Sequence, residues 1–311
     1  MSKIKTIFIV GPTASGKTDL SIRLAKALNG EIISADSMQI YKDIHIASAS
    51  PDVDEMQGIT HHLLEFLNTN EQFSVADYVR LARNKIKEIS LSGKLPIVVG
   101  GTGLYINSLL DNTEFIEADN DYSLREKLEA EFQESGAQAM LEKLKSIDYD
   151  SASKLHINDK KRIIRALEVY YLTGNTKSYQ NAISHSNENF INPLVLGIAY
   201  SDREKLYDRI NLRVDIMLKN GLLDEAKRAF LLSNNKGGFQ AIGHKEFFPY
   251  FRGECDLEQA TQNLKMQTRR YAKRQLTWFR RDDRINWLYP DKDAEYFDYA
   301  LDLAKKFLEE E

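Results

Sequence analysis

The chain has one cysteine, Cys255, among its 311 residues. That excludes a disulfide framework and any zinc site built on cysteine. Histidine is also scarce, at six residues, and the one tandem pair, His61-His62, opens a strand candidate. Successive side chains on a strand point to opposite faces, so core packing or hydrogen bonding is expected there rather than metal ligation. No run of eighteen apolar residues occurs, so no membrane span is expected. The opening MSKIKTIFIVGPT holds only a five-residue apolar run. That is short for the apolar region of a signal peptide and suits a buried strand better, so a cytoplasmic protein is expected. Net positive charge is missing too: the formal charge is −4, and any affinity for nucleic acid has to come from local clusters.

With 42% hydrophobic residues, a chain of this length builds a proper core in one large domain or two smaller ones. Short apolar runs at Thr6–Val10, Glu31–Ser34, His62–Leu67, Pro96–Val99, Leu194–Ala199 and Ile285–Tyr289 read as buried strands. Helical spacing separates them, at Thr18–Leu28 and Val75–Ile89 for example. The expected fold class is therefore α/β, a parallel sheet core flanked by helices. The alternation breaks near Asn112, after which a polar, helical stretch begins with the acidic run EFIEADNDY. The predicted organisation is a core of residues 1–112 and 190–311, ending in long helices, with an inserted helical subdomain at 113–189.

The first motif is Gly11-Pro12-Thr13-Ala14-Ser15-Gly16-Lys17-Thr18. It fits G-x-x-x-x-G-K-[ST] at every fixed position, with a strand before it and a helix after it. Backbone N–H groups of such a loop converge on anionic oxygens, the lysine adds charge, and the Thr18 hydroxyl suits a phosphate-bound Mg²⁺. The loop specifies linked phosphates and leaves the reaction open. A nucleotide hydrolase also needs an acid at a strand end to hold Mg²⁺. Here Pro96–Val99 ends instead in Gly100-Gly101-Thr102-Gly103, either a tight turn or a donor to a phosphate oxygen. Asp36, after Glu31–Ser34, is the other strand-end acid. Metal-water ligand, helix cap and proton acceptor all remain open for it.

Two basic stretches complete the inventory. Lys160-Lys161-Arg162-Ile163-Ile164-Arg165 opens a helix whose apolar face is Ile163, Ile164, Leu167, Tyr170 and Tyr171. From Lys265 to Arg281 there is no acid at all; Lys265, Arg269 and Lys273 recur at i, i+4, i+8, with Arg270 and Arg274 alongside. Tyr271, Trp278 and Phe279 are expected to pack that helix down. A solvated face mixes signs, so phosphate-backbone contact is the favoured reading of this one.

These motifs, with SADSMQIYKDI, HHLLE, FSVADY, VVGGTGLYI, RINLRVDIMLKNGLLDE, AIGHKE and TRRYAKRQLTWFRR, run in order along nearly the whole chain. In this the sequence closely resembles the bacterial tRNA dimethylallyltransferases, also called tRNA isopentenylpyrophosphate transferases. The resemblance implies transfer of a dimethylallyl group from dimethylallyl diphosphate to the exocyclic N6 amine of the adenosine at tRNA position 37, beside the anticodon. It implies that Gly11–Thr18 hold the donor diphosphate, with Mg²⁺ at Thr18, and that the partner is a tRNA anticodon stem-loop. Asp36 matches the general base, Thr102 a donor to the bridging oxygen, and Arg213 an arginine near the diphosphate, with Lys17 beside it. Asp36, Ser37, Met38 and Gln39, Lys161 through Arg165 and Arg125 match tRNA-contacting segments. Lys273 and Arg274 join them from the basic helix.

The chain departs from the family pattern twice. Where the family reads close to I-G-T-A-K-P, this chain has Ile46-Ala47-Ser48-Ala49-Ser50-Pro51, which replaces a lysine by Ser50. Where it reads G-Y-K-E, this chain has Gly243-His244-Lys245-Glu246, and a histidine can stack as a tyrosine does. The competing functions are a P-loop kinase of a small metabolite and an adenylate isopentenyltransferase; the basic helices favour tRNA over both. A non-catalytic RNA-binding protein is disfavoured by the presence of Lys17, Asp36 and Thr102 together. A monomer is the default expectation.

Overall fold

The computed structural model describes residues 3–115, 122–179, 189–232 and 241–310. Its contacts divide the chain into two compact units, residues 1–110 with 190–311 and residues 111–189. Part of the acidic run EFIEADNDY, residues 116–121, lies outside the described residues.

The first unit is built on six parallel strands: β1 (Ile4–Val10), β2 (Gly30–Ser34), β3 (His61–His62), β4 (Leu95–Gly100), β5 (Ile191–Ile198) and β6 (Ile285–Leu288). They lie in the order β3-β2-β4-β1-β5-β6. Ile7 to Val10 are fully buried, the continuous apolar run of a strand covered on both faces. Ile7, Ile9, Ile32 and Ile97 pack against Leu20, Leu24 and Ala25 of helix α1 (Lys17–Ala27), and with Ala300 and Ala304 of the C-terminal helix Tyr296–Glu309. Alternate residues such as Phe8 and Val98 face the other way, where α2 (Val75–Leu91) covers β1, β2 and β4 with Tyr78, Ala82 and Ile86. Helix α3 (Gly103–Leu110) follows β4.

Five of the predicted strands coincide with observed ones to within a few residues at their ends. The sixth does not: the ladder at His62–Leu67 stops at His62. Leu63 and Glu65 take left-handed φ values of 57° and 47°, which end the pleat. The chain then turns to the residues after β2, where Glu65 N–H donates to Gln39 O (2.8 Å) and Phe66 N–H to Ile40 O (2.9 Å). The two histidine rings hydrogen-bond as expected: His62 Nε2 to Glu31 Oε2 at 2.6 Å, His61 Nδ1 to Ile59 O at 2.8 Å.

The second unit is helical. Helix α4 (Tyr122–Ile147) is broken at Gly136 (φ 78°, ψ 167°), so the chain reverses and Lys143 Nζ reaches Glu131 Oε1 at 2.6 Å. Helix α5 (Lys160–Thr173) closes a small core of Leu128, Met140, Leu144, Ile163, Ile164 and Leu167. Tyr171, assigned from the sequence to the apolar face, is instead 45% exposed. It shares the stripe of Ile163, Ile164 and Leu167 but falls in the last turn of α5, where Lys143 Nζ lies 5.6 Å from its ring centroid.

Back in the first unit, α6 (Arg203–Lys219), α7 (Leu222–Leu232) and α8 (Leu257–Phe279) follow β5, and the C-terminal helix becomes α9. Asp256 caps α8 through a reciprocal pair with Gln259, which fixes where the basic helix begins.

Candidate active site

Parallel pairing places three loops side by side at the carboxyl ends of the central strands. Val10 is in register with Gly100 across β1–β4, and Ser34 with Val99 across β2–β4. The glycine loop after β1, Asp36 after β2 and Gly100-Gly101 after β4 are therefore neighbours because of the topology, as open α/β sheets place their ligands. All three line one cavity of about 290 Å³. Its remaining wall comes from Ala47–Ala49, α6, α8 and Ala241-Ile242, with Val214, Met217 and Leu264 as an apolar end. A second, outer cavity of about 590 Å³ shares Lys17, Thr18, Ala49, Arg213 and Met217 with the first.

Cations meet over the loop. Lys17 Nζ donates to Pro12 O at 2.7 Å, Arg213 Nη1 to Thr13 Oγ1 at 3.3 Å, and Arg209 Nε to Ala14 O at 2.9 Å. Although Lys17 as a residue is partly exposed, its ammonium end lies deep. Burial first, and then Arg213, bring its pKa down to about 7, against the opposing pull of Asp36. Burial also lowers Arg213 from the ordinary arginine value, an effect that Asp36 and Glu55 oppose. Ser15 Oγ is buried without a hydrogen-bond partner among the described residues. A loop with an unspent hydroxyl and crowded cations is short of negative charge, and an oxyanion would relieve both conditions.

Asp36 Oδ1 accepts Met38 N–H at 2.9 Å, the short turn that carries Ser37, Met38 and Gln39 onto the cavity wall. Thr102 does not line the cavity. Its Oγ1 accepts Ser37 N–H at 3.0 Å and donates to Ser37 Oγ at 3.4 Å, so it sits one bond behind the wall to which Ser37 belongs.

Gln275, which the sequence motifs do not mark, and Tyr271, expected only to pack its helix down, shape this arrangement. Gln275 Oε1 accepts Thr13 N–H at 2.9 Å, and its Nε2 donates to Gly101 O at 3.0 Å. One buried amide thus joins the glycine loop to the loop after β4. A Cβ at Gly101 would sit 2.2 Å from Gln275 Nε2, so a side chain there displaces that amide from its place. Tyr271, one turn earlier on α8, lines the same cavity. The usable signal was helical spacing: Leu264, Thr268, Tyr271 and Gln275 form one stripe along the helix that carries the basic run.

That charge reading is corrected in part. Lys265 Nζ pairs with Asp215 Oδ1 at 2.6 Å and Arg269 Nη1 donates to Asn211 Oδ1 at 2.6 Å, so the first two cations of the i, i+4, i+8 stripe are spent against α6. Lys273 and Arg274 are exposed, as are Arg270, Arg280 and Arg281. Trp278 and Phe279 pack α8 down as expected: Trp278, though 38% exposed, donates Nε1–H to Asn107 Oδ1 at 3.2 Å and lies close against Gly103 of α3, and Phe279 is buried.

In the second unit Lys161, Arg162 and Arg165 are exposed on α5. Ile163 and Ile164 are buried in that unit's core, so neither side chain is available to tRNA. Their helix interleaves core and surface positions, and the sequence motif spans both. Arg125 Nε donates to Glu129 Oε1 at 3.3 Å, and Arg165 Nη1 to Glu168 Oε2 at 2.7 Å. Lys177 adds a cation not singled out in the sequence; burial and then Arg165 and Arg162 lower its pKa.

Both departures from the family pattern are buried. Ser50 Oγ pairs with Ser48 Oγ at 2.9 Å and carries no charge role. His244 is fully buried, with Nε2 2.8 Å from Glu225 Oε1.

The model of the family "IPP transferase" matches residues 39–282. A tRNA dimethylallyltransferase of Acetivibrio thermocellus is 50% identical over 288 residues, 92% of each chain. Among solved structures, a full-length tRNA isopentenylpyrophosphate transferase of Bacillus halodurans is 42% identical with a TM-score of 0.69, covering 99% of this chain and 100% of that one. A eukaryotic dimethylallyltransferase acting on tRNA is 33% identical with a TM-score of 0.84, covering 98% of this chain and 79% of that one.

Proposed function

Since the chain belongs to the IPP transferase family, we propose that its inner cavity joins dimethylallyl diphosphate to the adenosine at tRNA position 37. The protein is a prenyltransferase acting on tRNA. The adenosine N6 attacks the donor's C1, the C1–O bond breaks, and diphosphate leaves with the bonding electrons. One proton leaves N6 for Asp36.

One observation carries this reading: Asp36 shares the inner cavity with Lys17, Arg213 and an apolar end. An adenine amine is a poor nucleophile, and a carboxylate of intrinsic pKa about 3.9 is a weak base toward it. As the C–N bond forms, nitrogen becomes positive and its proton acidic, so a weak base within reach suffices. Negative charge develops at the same time on the departing diphosphate, facing Lys17, Arg213 and the loop N–H groups, which stabilise the transition state more than the ground state. Val214, Met217 and Leu264 offer apolar surface for the five-carbon group. Thr102 is assigned the bridging oxygen; its O–H, which donates to Ser37 Oγ at 3.4 Å, turns to the ligand in that role while Ser37 N–H goes on donating to Oγ1. The base must leave its stack to reach this depth.

Mg²⁺ would be held by the Thr18 hydroxyl and the diphosphate itself. Thr18 is exposed and lines both cavities, and a hydroxyl oxygen suits this hard cation; among the described residues no three His, Cys, Asp or Glu form a site of their own. Bound there, the ion would neutralise diphosphate charge. The exposed cations on α5 and α8 are the proposed contacts with the tRNA backbone, a cytoplasmic substrate met by a monomer. Among the described residues no helix is long and apolar enough to cross a membrane.

Asp36→Ala tests the assignment. Turnover of prenyl-labelled donor into tRNA should fall by about 10²–10⁴-fold, with tRNA affinity retained. Equal loss of turnover and affinity would make Asp36 a structural residue.

A further inference from the structure

One part of the inner cavity's wall lies on a short helical turn, the segment Ile46-Ala47-Ser48-Ala49. Ala47, Ser48 and Ala49 line the cavity directly. Ala49 is a non-glycine residue at φ 49°, a left-handed conformation that persists only where the surroundings hold it. Its carbonyl accepts Gln39 Nε2 at 3.1 Å and faces Arg213 Nη2 at 3.5 Å. Whatever fixes this segment also fixes two side chains of the site.

The holding group is Glu225 on α7. Its buried carboxylate accepts Ile46 N–H at 2.8 Å, Ala47 N–H at 2.9 Å and His244 Nε2–H at 2.8 Å. These bonds lie in an otherwise apolar cluster that includes Val214, Leu222, Ala226, Phe247 and Leu264. A carboxylate is costly in such surroundings unless its oxygens are satisfied, and here three donors from distant parts of the chain converge on it. A second contact comes from the residue before His244. Gly243 lies at φ +113°, and a Cβ there would sit 3.1 Å from Ala47 Cβ. Only a residue without a side chain lets the turn close down on the segment at that distance. Removing the His244 ring strips one of three donors from Glu225, while Gly243 N–H still donates to Glu246 Oε2 at 2.8 Å.

We propose that Glu225 and His244 form a latch that positions the Ile46–Ala49 wall, and through Ala49 the side chains of Gln39 and Arg213, for binding the donor diphosphate. His244 is a positioning residue, for it lies behind the wall and touches no substrate. The proposal rests on the reading of the inner cavity as the donor site.

The test uses the full chain and two probes, inorganic diphosphate for binding and dimethylallyl diphosphate with tRNA for turnover. His244→Phe keeps a planar ring, slightly larger, and removes the donor to Glu225; the expected result is a roughly tenfold weaker diphosphate Kd and a donor KM raised by a similar factor, because small misplacements in a site are amplified. The KM for tRNA should stay within twofold. His244→Gln, whose amide N–H can reach Glu225, should restore most of the loss, and Glu225→Gln should resemble His244→Phe. A donor Kd unchanged in His244→Phe overturns the latch, as does a His244→Gln variant as impaired as His244→Phe, or equal losses for donor and tRNA. If His244→Phe fails to fold, His244→Asn, polar but too short to reach Glu225, gives the same comparison. A wild-type protein that binds neither inorganic diphosphate nor the donor would instead overturn the reading of the cavity.

Discussion

At the scale of single residues, Lys17 makes the most specific claim on experiment. With a pKa brought down to about 7 by burial and by Arg213, it is only partly protonated in the ligand-free protein near neutrality. A diphosphate against its ammonium raises that value again, so donor binding is linked to proton uptake. At pH 8 calorimetric titrations in two buffers of different ionisation enthalpy should show uptake of up to about one proton per donor, with affinity falling as pH rises above about 7. No uptake would mean that the lysine does not face the diphosphate. The same shift has a sign for folding. The folded value lies below the ordinary 10.5, so between about 7 and 10.5 the unfolded chain holds the proton that the folded chain has released. In that window Lys17 makes stability rise with pH.

At the scale of elements, α8 is a two-sided device. One face carries exposed Lys273 and Arg274; the other sets Tyr271 and Gln275 into the cavity wall. Gly101→Ala should push Gln275 off its two bonds to Thr13 and Gly101. Overpacking of this kind costs about 1–3 kcal/mol. We expect a lower Tm together with reduced turnover; an unchanged Tm would show that the clamp yields freely. The elements were legible to different degrees for physical reasons. Continuous apolar runs gave away five of the six strands, because a parallel sheet covered on both faces needs them. The strand expected through Leu67 failed at Leu63 and Glu65, whose left-handed backbone leaves no mark in an apolar pattern. The glycine loop, Asp36 and Arg213 were visible as motifs. Gln275 was hidden inside a run read for charge, and Glu225 and His244 act through bonds between segments far apart in sequence, which spacing cannot reveal.

At the scale of the whole molecule, a net charge of −4 coexists with cations gathered at α5 and α8. Local charge, not the total, then governs contact with a polyanion. Lys273→Ala and Arg274→Ala should each weaken tRNA binding and lower the slope of log affinity against log salt by about 0.7–0.9. An unchanged slope would return that face of α8 to ordinary solvation. The central claim, that one cavity joins a prenyl donor to an exocyclic amine, is tested most directly by mass spectrometry of two anticodon stem-loops, one with adenosine at position 37 and one with inosine. Incubated with the protein, Mg²⁺ and dimethylallyl diphosphate, the adenosine loop should gain one dimethylallyl group and the inosine loop none. An adenosine loop of unchanged mass, or prenylation of both loops, would contradict the account.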